Sequence, residues 1–180
     1  MPDSFNQFIA TEAFKALLVA GLFKLMKKLS LFLTLITILF SAQLVWGQGK
    51  YNIYNNARFG YSISYPSNLI PKGESTNGDG QIFAARDKSA TLTVWGAHNA
   101  LDQTLKEKYD EVLNEKGKSV TYKTIGSNYY VVSGKAKGKI FYQKTIKGED
   151  DTYFTFIFEY AESKRAAYDK AVAQIAKSFK

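Results

Sequence analysis

"DTYFTFIFEY", residues 151–160, decides the fold. In an extended chain successive side chains point to opposite faces. Phe154, Phe156 and Phe158 therefore share one side, with Tyr153 and Ile157 on the other. A strand apolar on both sides belongs at the centre of a sheet that is covered above and below. Each Phe buried there contributes about 1.5–3 kcal/mol. One such strand near the end of a chain predicts a layered architecture with the sheet as its middle layer.

The segments around it supply the rest of that sheet. "SVTYKTIG" (119–126), "YYVVSGKA" (129–136) and "GKIFYQKTIK" (138–147) read as three strands joined by short polar turns, which forces antiparallel pairing. Further upstream, "YSISYP" (61–66) alternates Tyr61, Ile63 and Tyr65 against Ser62 and Ser64, and Pro66 stops it. "QIFAARD" (81–87) and "ATLTVWGA" (90–97) are two more strands, with Asp87, Lys88 and Ser89 as the turn between them. "ESTNGDGQ" (74–81) reads as a turn-rich loop.

Between the two groups the period changes. Leu101, Leu105, Tyr109, Val112 and Leu113 fall on one helical face. Asn99 is the expected cap, with Asp102 as its capping-box partner and Gly117 as terminator. A second helix runs from about Ser163 to the end, carrying Tyr168, Val172, Ile175 and Phe179 on one face. Two amphipathic helices must each cover sheet. The expectation is an α+β domain: an α/β/α sandwich around a largely antiparallel sheet of about six or seven strands.

"RFGYSISYPSNL" (58–69) opens this region with an aromatic-Gly-aromatic step, a short strand and a Pro, and "IAKSFK" (175–180) closes it. With one helix after the early strands and another at the end, residues 51–180 resemble the PsbP-like superfamily. That superfamily includes the extrinsic photosystem protein PsbP, a Ran-binding nuclear import factor and exported bacterial proteins. The resemblance implies an α/β/α sandwich with a non-enzymatic binding or assembly role. It names no partner and carries over no functional residue.

"MKKLSLFLTLITILFSAQLVWGQG" starts at Met26. Two lysines, a charge-free apolar run from Leu29 to Phe40, and a segment ending Val45-Trp46-Gly47 give the order of a secretory signal, with cleavage expected before Gln48. Residues 1–25 are then read as an over-extended start, 26–47 as the signal and 48–180 as one PsbP-like domain. The alternative is an uncleaved membrane anchor over residues 29–46. Export, to a periplasmic or extracellular site, is the expectation.

Composition narrows the chemistry. The 180 residues hold no Cys and one His, and carry a net charge of +8. Disulfides, thiolate metal sites and Cys nucleophiles are excluded, and no cofactor is called for. Four of the 24 Lys+Arg and two of the 16 Asp+Glu precede Gln48, so the exported part is net +6. That balance weakly favours anionic partners, without the charge density expected of a nucleic-acid binder.

Two stretches are candidate contact sites. In the Asn77–Gln81 loop, Asn77, Asp79 and Gly80 match three calcium-loop positions. Ser75 and Arg86 stand where carboxylates are needed, so no metal is expected. The loop is read as a partner contact through Asn77, Asp79 and Gln81. The Lys135–Lys147 stretch offers Lys135, Lys137, Lys139 and Lys144 to an anionic partner, with the first three expected on one face, blunting an exposed sheet edge. "GKAKGK" (134–139) departs from the phosphate-loop spacing. Trp95 either packs under a helix or lines a pocket. The reading is an exported, non-catalytic binding or assembly module whose partner is a protein or an anionic envelope component. Its alternatives are an envelope enzyme, signalled by convergence of Asp79, Arg86 and His98, and a membrane-tethered structural protein.

Overall fold

The computed structural model describes residues 21–22, 24–30 and 50–180. Residues 21–22 and 24–30 are helical and exposed. The expectations for residues 1–25 and 26–47 otherwise fall outside the described residues. Among the described residues no helix is long and apolar enough to cross a membrane.

From Gly49 onward the chain forms one compact unit. Nine strands run β1 (Tyr51–Asn55), β2 (Ser62–Pro66), β3 (Leu69–Glu74), β4 (Gly80–Ala85), β5 (Ala90–His98), β6 (Lys118–Ile125), β7 (Tyr129–Ala136), β8 (Lys139–Lys147) and β9 (Thr152–Ala161). Helix α1 (Leu105–Asn114) follows β5, and α2 (Arg165–Ser178) closes the domain after a 3₁₀ turn at Glu162–Lys164. Strands β3 to β9 make one antiparallel sheet in the order β3-β4-β5-β9-β8-β7-β6. β9 lies at its centre, between β5 and β8, as its two apolar faces require. β1 and β2 form a separate hairpin sheet.

The two sides of β9 enter two cores. Phe156 and Phe158 are fully buried together with Leu92, Val94, Phe83, Ile63, Tyr61 and the α2 residues Tyr168, Ala171 and Ile175. This core is largely aromatic: Phe156 meets Phe179 edge-on at 5.1 Å, and Phe158 meets Tyr168 at 5.4 Å. On the opposite face Tyr153 joins Phe141, Val132 and Tyr130 beneath Leu105 and Tyr109 of α1. The architecture is the expected α/β/α sandwich, with the β1–β2 hairpin sharing the α2 layer.

Two strands lay hidden in the sequence. β1 is mostly exposed, and β3 contains Pro71 and Gly73, so neither shows a clean alternation. The start of α1 also differs from expectation. The cap is Thr104, whose hydroxyl accepts from the Glu107 amide while the Glu107 carboxylate accepts from the Thr104 amide. Asn99 instead braces the preceding loop, bonding both the amide and the carbonyl of Gln103. Asp102 has φ +51° and Leu101 is 78% exposed, so both lie outside the helix. The helix ends at Asn114, before Gly117.

The lysine hairpin is corrected in two respects. Lys137 and Gly138, both with positive φ, form its two-residue turn. Lys135 pairs across to Ile140, and Lys139 to Ala136, so Lys135 and Lys139 lie on opposite faces. β7 and β8 are interior strands. The sheet edges are β3 and β6, each interrupted by a register shift, and such bulges are what blunt an edge.

Candidate functional site

Seven strands about 4.8 Å apart span roughly 29 Å, whereas a helix with its side chains is about 10 Å across. The α2 layer solves this with two elements, helix and hairpin. The α1 layer has only a ten-residue helix. It covers the β7–β8 side and leaves β4, β5 and part of β9 open. The cross-strand registers place Ile82, Thr93, Ile157 and Gln143 in one row over this region. Trp95 lies one step along β5 from Thr93, and Glu159 one step along β9 from Ile157.

A groove of about 480 Å³ runs beside α1, with Thr93, Trp95, Phe141, Gln143, Ile157 and Glu159 among its lining residues. A second hollow of about 300 Å³ lies against Trp95, bounded by Glu74, Ser75, Asp79 and Ile82. Thr93 and Trp95 border both. The open alternative for Trp95 resolves to the pocket: it is half-buried and lines the groove beside α1.

The Ser75–Gly80 loop at this end is braced by hydrogen bonds. Asp79 accepts from Ser75 Oγ at 2.5 Å and from Asn77 Nδ2 at 2.8 Å. The Ser75 hydroxyl above all, helped by Asn77 and the Arg58 guanidinium, holds the Asp79 carboxyl below its ordinary range against the opposing effect of desolvation. Arg58 donates to the Asn77 carbonyl at 2.5 Å. Buried Asn56 donates to Gly78 O at 2.9 Å, and Tyr61 donates to Asp79 O at 2.9 Å. Burial raises the Tyr61 phenol far above its usual range. Gln81 is buried, and its amide donates to Ile82 O. Asp79 and Gln81 thus line the second hollow, while Asn77 does not border it and bonds Asp79 from within the loop.

The lysines are scattered by comparison. Lys135 pairs with Glu162 at 2.6 Å. Lys144 reaches the end of α2, where its ammonium donates to Ala176 O at 2.8 Å, and burial lowers its pKa. Lys137 is exposed at the turn and Lys139 half-buried.

Asp79, Arg86 and His98 do not converge. Asp79 and Arg86 flank opposite ends of β4, and His98 ends β5 with its ring 5.2 Å from Phe59. Among the described residues, no group of three His, Cys, Asp or Glu could hold a metal ion.

Gln143 and Glu159 were not singled out in the sequence, and Ile157 was noted only as an apolar residue on the second side of β9. Their signal was present in β9, where one carboxylate follows Tyr153, Thr155 and Ile157 on an otherwise uncharged face. Gln143 and Trp95 are brought to it only by pairing across distant strands.

The fold has a known parallel. The solution structure of cyanobacterial PsbP (CyanoP) from Synechocystis superposes with a TM-score of 0.55 at 16% identity, over 74% of this chain and 94% of that one. The chain therefore has the PsbP-like fold. Two looser matches are LpqN, involved in cell envelope biogenesis of Mycobacterium tuberculosis, and a protein from Bacteroides thetaiotaomicron. LpqN gives a TM-score of 0.44 at 14% identity, over 72% of this chain and 89% of that one. The Bacteroides protein gives 0.43 at 15% identity, over 74% and 48%. At those scores neither bears on function. No protein-family model and no curated protein matches the sequence.

Proposed function

We propose that the chain is an exported, non-catalytic binding or assembly module of the cell envelope. It engages its partner through the half-open sheet face around Trp95 and the adjoining loop with Asn77 and Asp79. The observation that carries this reading is the half-covered sheet. Trp95 stands between two hollows on a scaffold of paired strands, and large aromatics in such settings dominate recognition. Arg86 lies at the far end of β4 from Asp79, which favours binding over a convergent acid–base set of the kind hydrolases need. The leader-like order from Met26 supports export.

The experiment is site-specific photo-crosslinking in the native cell with the full chain. A photoreactive residue is placed at Ile82 or at Lys137, and products are identified by mass spectrometry. The expected result is one reproducible envelope product from position 82. Products from position 137 alone would move the contact to the lysine hairpin. Substrate turnover by purified protein, lost on mutating Asp79 or His98, would overturn the non-catalytic reading.

A further inference from the structure

We infer that the groove beside α1 is a saccharide site, taking a neutral, hydroxyl-rich ligand of about two or three pyranose rings. The inference rests on reading the open face as the binding surface and names the ligand class for it.

Three observations point to this chemistry. The first is length. Trp95 pairs with Thr155, four residues before Glu159 on the same strand. At about 3.3 Å per residue the two ends are roughly 13 Å apart along the sheet. A groove of about 480 Å³ falls within the ordinary range for small-ligand sites.

The second is the mixture of groups. Trp95 offers an indole face, whose negative π surface attracts the C–H edge of a sugar ring. Thr93, Gln143 and Glu159 line the same groove. No hydrogen bond or ion pair engages the Thr93 hydroxyl or the Glu159 carboxylate among the described residues. The Gln143 amide NH₂ donates to Tyr130 OH at 3.1 Å, which leaves its carbonyl oxygen as an acceptor. These groups are arranged to receive hydroxyl protons.

The third is exclusion by charge. An anion would meet the Glu159 carboxylate. An apolar helix or acyl chain would strip water from Glu159 and Thr93 and return no hydrogen bond, a costly exchange. A simple cation would meet Glu159 alone, because the other carboxylate lining the groove, Glu115, is already paired with Lys118 at 2.6 Å, and that ammonium is held over the Phe141 ring at 5.0 Å. A saccharide presents C–H faces to Trp95 and Ile157 and hydroxyls to the rest.

The chain has two tryptophans, Trp46 and Trp95. In a Trp46→Phe background of the full chain, indole fluorescence reads the groove alone. The probes are chitotriose, cellotriose, tetramethylammonium and inorganic phosphate. The expected result is a saturable spectral shift with at least one trisaccharide. It should be nearly independent of salt between about 50 and 500 mM, a range over which the Debye length shrinks about threefold, as a neutral ligand requires. Glu159→Gln should weaken binding about tenfold with an unchanged thermal melt, and Trp95→Phe should weaken it similarly when followed by calorimetry. No response to either trisaccharide overturns the inference, as does a response confined to tetramethylammonium or phosphate. A crosslinked protein at position 82 with no saccharide response overturns the ligand class and leaves the binding-module reading standing. Release of reducing ends from a bound trisaccharide would uphold the site and remove the non-catalytic reading.

Discussion

The two faces of the sheet use the same strands for opposite ends. The face toward α2 is closed: Phe83, Leu92, Val94, Phe156 and Phe158 are each at most 1% exposed. The face toward α1 carries Thr93, Trp95, Ile157 and Glu159, all partly open to solvent. Alternation along β5 and β9 assigns each residue to one face or the other. Apolar burial is therefore concentrated on one side while the other keeps partly open side chains, without either constraining the other's residues.

Substitutions that should matter on one face only can break or sharpen this contrast. The largest effect is expected from Phe156→Ala. Its ring stacks on Tyr142 and meets Phe179 edge-on, and its loss should cost about 3–5 kcal/mol in denaturant melts. A loss below about 1 kcal/mol would deny that the α2 face carries the fold. Next comes Asn56→Ala, which leaves the Gly78 carbonyl and the Phe59 amide without their partner. A destabilisation of about 1–3 kcal/mol is expected, along with faster amide exchange in the 75–80 loop. Thr104→Ala removes the α1 capping box and should cost about 1 kcal/mol, with fraying confined to α1 by hydrogen exchange.

The smallest effect is a pH dependence. The Asp79 carboxyl is held below its unfolded value of 3.8. Its contribution is therefore complete above that value and disappears as pH falls through the lower folded pKa. Asp79→Asn should lower Tm slightly at pH 7, and the gap from the parent protein should close below pH 3.8. A gap that persists at pH 2 would show that the amide disturbs the loop by shape and not by charge.

Much of the fold was legible because its signals are local. β9, the meander from β6, and the apolar stripe of α2 all show their period within a dozen residues. What stayed hidden is what tertiary context decides. β3 carries a Pro and a bulge because it lies at an edge, so its pattern is broken where its role is clearest. Leu101 extended the apolar spacing of α1 by one turn, yet Thr104 supplied the better cap and the chain entered the helix later. The lysines at 135, 137 and 139 look alternate in sequence, but a two-residue turn reverses the strand between them. The groove was the least legible feature, since its residues come from β5, β8 and β9 and acquire a common face only through their registers. Trp95 was visible as a candidate, while Glu159 was masked by the aromatics around it.

The adjacency of β5 and β9 has a kinetic consequence. Ala90 pairs with Tyr160 and His98 with Thr152, so the middle of the sheet is a seam between two hairpin-built halves distant along the chain. Each half can assemble from near neighbours within microseconds, but closing the seam requires a long loop to be brought together first. Refolding should therefore show an early phase that leaves Trp95 in water and a slower one in which its emission changes, and substitutions along the seam should slow only the second.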